Sequence, residues 1–176
     1  MYKTVRGFGV ALAVLCAVSA RAQSARPAID VTAAAIQEAL RQLPKDSVSD
    51  APMRVADVGG YNVGVYIVYR PKNAARTPAF HETKVTEVYY MLEGAGTLVT
   101  GGTLAGQNRP SATPTGPLAA VHTVTGTQID GGVSRRVTKG DIIIIPGYTP
   151  HQWIDVDSDI TYLIIRPDPE AKLPLK

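Results

Sequence analysis

The sequence predicts an all-β domain, either a sandwich or a closed barrel, preceded by one helix. After Met53 the chain is a series of short runs rich in Val, Ile, Tyr and Thr, which favour strands. Clusters of Gly, Pro, Asn and Asp separate these runs, and apolar residues recur at helical spacing in one segment before them. Many short strands without intervening helices are typical of sandwiches and barrels, not of folds in which strands and helices alternate.

The first 22 residues predict a secretory signal peptide. Lys3 and Arg6 give a positively charged start, residues 10–20 are apolar, and small residues precede a cleavage site after Ala22. The apolar stretch is about 11 residues long, well below the roughly 20 that are needed to cross a bilayer. We therefore expect an exported protein, periplasmic or extracellular, without a stable membrane anchor.

Cleavage after Ala22 would change both the charge and the cysteine content. The full chain has a formal net charge of +3, with 18 basic and 15 acidic residues. The signal holds Lys3, Arg6 and Arg21 but no acidic residue, which leaves 15 basic and 15 acidic residues after export. Because positive charge supplies most of the attraction for nucleic acid, we expect no nucleic-acid partner. Cys16, the one cysteine, also leaves with the signal, so neither a disulfide nor a thiol nucleophile is expected.

One helix is predicted over residues 31–43. Asp30 is a suitable N-cap, and Pro44 ends the pattern. The apolar residues at helical spacing are Ile36, Ala39, Leu40 and Leu43. We expect this helix to pack against the domain or a second subunit, as part of a leader-and-helix region over 23–53. The barrel domain is expected over 54–176.

The strand predictions follow the chain from residue 54. They cover Arg54–Val58, Tyr61–Arg70, Ala79–Val85, Glu87–Leu92, Thr97–Thr100, Ala119–Thr125, Ser134–Thr138, Asp141–Ile145, Gln152–Val156 and Ile160–Arg166. The run Gly101–Pro117, rich in Gly, Pro, Thr and Ser, predicts an exposed loop between the two halves of the domain. The proline-rich tail after Arg166 is expected to lie along the surface or to pair with a neighbour.

A histidine, a glutamate and a glycine stand in a recognisable pattern around the fourth predicted strand. His81 is followed by Glu87, and six residues separate Glu87 from Gly94. The pattern resembles the first cupin motif, in which a histidine pair precedes a glutamate, six residues and a glycine. Cupin metal sites usually have a second histidine two positions after the first. This chain has Thr83 there, or Glu82 if the register shifts by one.

A second motif lies later in the chain. Gly140 opens a strand, Pro146 closes it, and His151 follows five positions after the proline. This pattern resembles the second cupin motif, and the two motifs with the strands around them span residues 54–167. The resemblance implies a double-stranded β-helix, the cupin jelly-roll barrel, here with one N-terminal helix. It also implies a homodimer, because cupins commonly pair through sheet edges and the exposed helix.

The resemblance implies a metal site formed by His81, Glu87 and His151. Side chains two apart on a strand share a face, so a small barrel can direct such groups towards one point. Two imidazoles and one carboxylate are a recurring set for a divalent metal and leave coordination positions open. Copper, manganese and iron are all compatible with these ligands. Glu82 or water could complete the shell, and His122 could approach only if the barrel brings it in.

Strand parity places further side chains on the walls of the same pocket. Residues at even spacing from a ligand on one strand point the same way as that ligand. By this rule the predicted pocket-lining residues are Thr83, Tyr89, Met91 and Trp153. The sequence assigns no catalytic residue.

Each predicted ligand also has a purely structural interpretation. A lone histidine on a half-buried strand is often satisfied by hydrogen bonds, which is the alternative for His81 and the main expectation for His122. Glu87 by itself could be a surface residue or a partner of Lys84 or Arg135. His151 by itself, after Thr149 and Pro150, could be part of a turn.

Two functions fit these patterns. The first is a secreted, metal-dependent cupin enzyme, an oxidoreductase of the oxidase or dioxygenase type, acting on a small organic or carbohydrate-derived substrate in the barrel pocket. The second is a non-catalytic cupin module that binds a small molecule or a sugar. The missing second histidine favours the binding module, and the histidines and glutamate that are present favour the enzyme.

Overall fold

The computed structural model describes residues 27–109 and 119–176, and the predicted signal peptide lies outside them. One α-helix, α1, spans Ala33–Gln42, and a short 3-10 helix spans Ala119–Val121. The strands are β1 Ser49–Asp57, β2 Asn62–Arg70, β3 Ala79–His81, β4 Glu87–Glu93, β5 Ala95–Thr100, β6 Thr103–Ala105, β7 Thr123–Thr125, β8 Gln128–Asp130, β9 Val133–Thr138, β10 Ile142–Ile145, β11 His151–Val156 and β12 Ile160–Asp168. Within the described ranges, none of the helices has the length and apolar character needed to span a bilayer.

Two five-stranded sheets form the domain. The first has the strand order β1-β2-β12-β4-β10, and the second has the order β7-β3-β11-β5-β9. All the pairings between described strands are antiparallel, and β6 and β8 form a separate ribbon. The inner faces bury one hydrophobic core, which includes Tyr66, Met91, Leu98, Ile145 and Ile164. Removal of this apolar surface from water holds the sheets together. The all-β prediction is confirmed, and the architecture is a double-stranded β-helix.

Helix α1 is shorter than predicted and has a different cap. Thr32, not Asp30, is the N-cap, and its side-chain oxygen accepts a hydrogen bond from the Ala35 amide at 3.2 Å. The Asp30 prediction is wrong because the backbone is still extended at Thr32, with φ −75° and ψ 155°. The helix ends at Gln42, contacts β2 and buries none of its own residues, so it lies on the surface of the first sheet.

Strand β1 begins before the predicted start at residue 54. It includes Pro52, which pairs with Tyr66, and the register shifts between Pro52 and Arg54. Because β1 is an edge strand of its sheet, a residue without an N–H group is tolerated there.

The strand predicted over 79–85 ends at His81. The Thr83 amide donates a hydrogen bond to the His81 carbonyl at 2.9 Å, which turns the chain before β4 begins. The Glu82 amide donates to the His122 carbonyl at 3.0 Å. These bonds replace strand pairing with a tight turn, so β-favouring residues here do not extend the strand.

The segment predicted as a strand over 119–125 is divided in two. The 3-10 helix occupies its first half and β7 its end, with His122 between them at a φ of 46°. The described part of the predicted loop Gly101–Pro117 also contains β6, which pairs with β8.

The C-terminal tail packs on its own domain. Val55 and Lys176 exchange backbone hydrogen bonds of 3.2 and 3.0 Å, and Leu173 is buried in the core. The Asn62 side-chain amide donates to the Leu173 carbonyl at 2.9 Å. The tail therefore lies along β1, the first of the two arrangements expected from the sequence.

The glycine of the first motif has a structural role. Gly94 lies between β4 and β5 with a φ of 82°, a backbone conformation that favours glycine. A Cβ atom at this position would lie 2.5 Å from the Asp159 carbonyl oxygen. The glycine of the motif is therefore explained by the close approach of the turn at Gly94 to the turn at Asp159.

Candidate metal centre

Three predicted ligands from the two sheets meet at one point. The Nε2 atom of His81 lies 3.6 Å from one carboxylate oxygen of Glu87, and the Nε2 atom of His151 lies 3.6 Å from the other. One ligand atom from each residue can be chosen so that all three lie within 4.8 Å of one another. His81 ends β3, Glu87 begins β4 and His151 begins β11, so the strand ends fix all three.

Hydrogen bonds at the far side of each imidazole hold the rings. The Nδ1 atom of His151 donates to the Thr149 carbonyl at 3.0 Å, and Nδ1 of His81 is hydrogen-bonded to the Thr123 hydroxyl at 2.9 Å. A carbonyl can only accept, so the proton of a neutral His151 is assigned to Nδ1, and Nε2 keeps its lone pair. Partners of this kind orient metal-binding histidines in proteins.

A buried arginine holds the carboxylate of Glu87. Arg166, on β12, donates to Glu87 Oε1 from Nε at 2.9 Å and from Nη2 at 2.7 Å. The same guanidinium donates to both carboxylate oxygens of Asp50, at 3.1 and 2.6 Å, and lies 4.2 Å from the ring centre of Tyr66. The Tyr89 hydroxyl donates to Glu87 Oε2 at 3.1 Å. The alternative that Glu87 is a surface residue paired with a nearby cation is therefore wrong.

Charge and burial set the protonation of the site. Burial alone would raise the pKa of Glu87, but the Arg166 guanidinium, with His81 and His151, lowers that pKa to about 2. Burial lowers the pKa of His81 to about 4, against the attraction of Glu87. Near neutral pH the site therefore contains a charged carboxylate beside a neutral His81 imidazole.

This donor set fits a divalent transition metal. Two imidazole nitrogens and one carboxylate oxygen converge, and the far side of each ring is already hydrogen-bonded. His81, Glu87 and His151 would hold the ion.

A cavity of about 170 Å³ opens beside the three ligands. Its lining residues are Val48, Asp50, Val68, Arg70, Arg76, Thr77, Ala79, His81, Glu87, Tyr89, His151, Gln152, Trp153, Tyr162, Ile164 and Arg166. A larger groove of about 350 Å³ lies between residues 27–31 and strands β1 and β2, and none of the three ligands lines it. The smaller cavity is therefore the candidate substrate site.

The predicted pocket-lining residues divide into two pairs. Tyr89 and Trp153 line the cavity. Thr83 is buried in the turn after β3, where its hydroxyl accepts a hydrogen bond from the Val85 amide at 3.2 Å, and Met91 is buried in the core. Thr83 and Met91 are thus outside the lining, because the strand at Thr83 has ended and Met91 is deeper in the barrel.

The two proposed extra ligands also lie elsewhere. Glu82 is paired with Arg109 at 2.5 Å, and His122 is exposed. Neither lines the cavity beside the triad. A fourth protein ligand at Glu82 or His122 is therefore not part of this arrangement.

Sequence reasoning missed Asp50, Arg70 and Arg166. Arg166 carries a signal in the sequence, because it continues the inward positions Ile160, Tyr162 and Ile164 of β12. A charged residue at the end of such an apolar alternation requires a buried partner. Its two partners lie 79 and 116 residues away in sequence, so the pattern does not identify them.

The fold is similar to that of several solved structures. No family model matches the chain, and no curated protein matches it. A conserved Klebsiella pneumoniae protein with a double-stranded β-helix domain is 11% identical, with a TM-score of 0.41 over 71% of this chain and 84% of its own. The DMSP lyase DddQ from Ruegeria pomeroyi is 19% identical, with a TM-score of 0.45 over 81% of this chain and 67% of its own. An oxalate oxidase is 16% identical, with a TM-score of 0.44 over 74% of this chain and 55% of its own.

The topology of the two sheets defines the fold class. The chain forms a single double-stranded β-helix, the fold that the resemblance of its two motifs to the cupin motifs implies. Glu87 from one sheet and the two histidines from the other make up its candidate metal centre.

Proposed function

We propose that this protein is an exported, metal-dependent cupin oxidoreductase that acts on a small organic or carbohydrate-derived substrate. The observation that supports it is the convergence of His81, Glu87 and His151 beside a cavity of about 170 Å³. A divalent metal held there would supply a Lewis acid or an oxygen-activating centre at its open positions.

The residues around the triad keep it ready to bind a cation. Arg166 and Tyr89 fix the Glu87 carboxylate from two directions. Burial keeps the pKa of Tyr89 well above its usual range, so its hydroxyl stays a donor. The aromatic side chains of Trp153 and Tyr162 line the cavity and limit the water around a bound substrate.

Copper, manganese and iron are the candidate metals, because imidazole and carboxylate ligands suit each of them. Export to an oxidising compartment favours copper or manganese over reduced iron. Cleavage of the signal after Ala22 is part of this proposal.

A non-catalytic small-molecule or sugar-binding module is the second candidate. Two observations favour it. Thr83 replaces the second motif histidine, and its hydroxyl accepts a hydrogen bond from the Val85 amide. Arg166 already donates two hydrogen bonds to Glu87. Compared with a full cupin ligand set, the site lacks one imidazole, and one Glu87 oxygen is shared with Arg166.

Metal content separates the two candidates. The purified protein would be compared by elemental mass spectrometry with His151→Ala and with the matched control His122→Ala, an exposed histidine outside the cavity. We expect about one equivalent of one transition metal in the parent and the control, and loss in His151→Ala. Oxygen uptake with small organic acids and sugars then tests the reaction class.

Two results would reject the enzyme. The first is the absence of stoichiometric metal after reconstitution with iron, manganese, copper and zinc. The second is metal binding without any product from the substrates tested. Retained binding of a small molecule in the metal-free protein would then favour the binding module.

A homodimer is proposed through the outer face of the first sheet. Tyr90, Ile142 and Ile144 point outward from β4 and β10, and the two isoleucines are each 65% exposed. Helix α1 contacts the outer side of the same sheet at β2, but β4 and β10 lie at the other end of the strand order. An exposed apolar sheet face of this kind is typical of a protein interface, and a second copy offers the same apolar surface.

A further inference from the structure

Two arginines line the cavity without an acidic partner. Arg70 ends β2, and Arg76 lies in the loop before β3. The Nη1 atom of Arg70 donates to the Ala75 carbonyl at 3.0 Å, and Nη1 of Arg76 donates to the Ile154 carbonyl at 2.9 Å. Among the described residues neither guanidinium forms a salt bridge, so neither positive charge is paired with a carboxylate.

The carboxylates of the cavity are already engaged. Asp50 and Glu87 both bind Arg166, which leaves no acidic side chain of the lining for Arg70 or Arg76. The Nε atom of Arg70 is buried and lacks a hydrogen-bond acceptor in the described structure. Buried donors without an acceptor are uncommon in folded proteins, so the hydrogen-bonding capacity of the Arg70 guanidinium is not fully used within the described residues.

The formal charge of the lining is therefore positive. Arg70, Arg76 and Arg166 contribute three positive charges, and Asp50 and Glu87 contribute two negative charges. A divalent metal at the triad would increase this excess. An anion is the ligand that such a cavity favours, whereas a neutral sugar would leave the charge unbalanced.

Hydrogen bonds fix Arg76 beside the metal-binding strand. The Gln152 side-chain amide donates to the Arg76 carbonyl at 2.6 Å, and Arg76 donates in turn to Ile154. Gln152 and Ile154 both belong to β11, which His151 begins. The loop is thus attached to the same strand as a ligand histidine, which lowers the entropy cost of ordering this cation when an anion binds.

We propose that Arg70 and Arg76 form an anion subsite that binds a carboxylate group of a small organic acid in this cavity. A planar guanidinium matches the two oxygens of a carboxylate, and the walls of Tyr89, Trp153 and Tyr162 receive its carbon skeleton. The inference deepens the proposed function, on which it rests for the status of the ligand as substrate. Binding itself depends only on the arginines.

The chain has one tryptophan, Trp153, and it lines the cavity. Its fluorescence therefore reports on binding at this position. The purified protein would be titrated with malonate and with malonamide, which has a similar shape and no charge. Each titration would be done with the metal-free protein and again after metal loading.

Substitutions identify the groups that bind the anion. We expect malonate, but not malonamide, to quench or shift the Trp153 emission, and Arg70→Gln and Arg76→Gln to weaken malonate binding about tenfold or more. Arg136→Gln, which removes an arginine paired with Asp157 outside the lining, should leave binding unchanged. Arg70→Lys keeps the charge and should retain more of the affinity than Arg70→Gln.

The outcomes separate this inference from the metal proposal. Equal binding of malonamide and malonate, or unchanged malonate affinity in both glutamine variants, would overturn the anion subsite even if metal is bound. Malonate binding that requires both arginines and persists without metal would support the subsite whether or not the metal proposal holds. If Arg70→Gln does not fold, by circular dichroism, the exposed Arg76→Gln variant decides between these outcomes.

Discussion

Replacement of Arg166 by leucine tests the buried network on which the site depends. Arg166 is 1% exposed and makes four hydrogen bonds, two to Glu87 and two to Asp50. Arg166→Leu removes all four and leaves the buried Glu87 carboxylate and the partly buried Asp50 carboxylate without their cation. Loss of one partner of a buried ion pair costs about 3–5 kcal/mol, so we expect a decrease of about that size in the free energy of unfolding at pH 7.

The cost should depend on pH in a defined direction. In the parent protein the pKa of Glu87 is lowered from 4.5 to about 2, so its contribution to stability is present above about pH 4.5 and is lost as the pH falls towards 2. Without the guanidinium the pKa values of Glu87 and Asp50 should both rise, because Arg166 no longer offsets the burial of each carboxylate. The variant then takes up protons that the parent does not. The difference in stability is therefore largest at neutral pH and decreases as the pH falls through 5.

Urea denaturation of the metal-free proteins at several pH values measures this difference. Arg136→Leu is the matched control, since Arg136 also binds both oxygens of an aspartate, Asp157, but at the surface. An exposed pair of this kind contributes about 0–1 kcal/mol. A loss in Arg166→Leu no larger than in Arg136→Leu, or a loss that does not change with pH, would refute the reasoning.

Three further predictions concern His81, Gly94 and the outer sheet face. Burial lowers the pKa of His81 from 6.5 to about 4, so as the pH falls this histidine takes up a proton in the unfolded chain before it does so in the folded protein. The metal-free protein should therefore lose roughly 3 kcal/mol of stability between about pH 6.5 and 4. This slope should be smaller in His81→Gln than in the parent, as measured by urea denaturation. Gly94→Ala should lower the melting temperature more than Gly101→Ala, since both have a φ near +80° but only the first would place a Cβ atom 2.5 Å from a carbonyl oxygen; equal shifts would refute the clash. Ile144→Glu should convert a dimer to a monomer in sedimentation velocity, and a monomeric parent at micromolar concentration would contradict the proposed interface.

The sequence predicts best what is local along the chain. Glu87 and Tyr89 alternate with outward residues on β4, so two-residue periodicity is enough to place both inside the barrel. The spacing from Pro146 to His151 likewise places that histidine at the start of β11. Each of these inferences uses only neighbouring residues.

The inferences that fail depend on where a strand ends. Thr83 is two positions after His81, but parity applies only while the strand continues, and the Thr83 amide turns back to the His81 carbonyl. Asp30 fails as a cap for the same reason, because the chain is still extended at Thr32. The network of Arg166 could not be predicted from periodicity, because it joins β1, β4 and β12 and only the tertiary fold brings them together.

Arg166 also determines which ligands the cavity can accept. Asp50 and Glu87 supply two negative charges and Arg166 supplies one positive charge, so the buried network carries one net negative charge. Two buried carboxylates without that arginine would raise each other's pKa and take up a proton, which would remove the charge that attracts a metal. One net negative charge beside two imidazoles suits a divalent cation. Because that cation would carry two positive charges, the occupied centre would have a net positive charge. Arg70 and Arg76 add to the positive charge of the same cavity, so an organic acid bound there would balance the positive charge that a bound metal contributes.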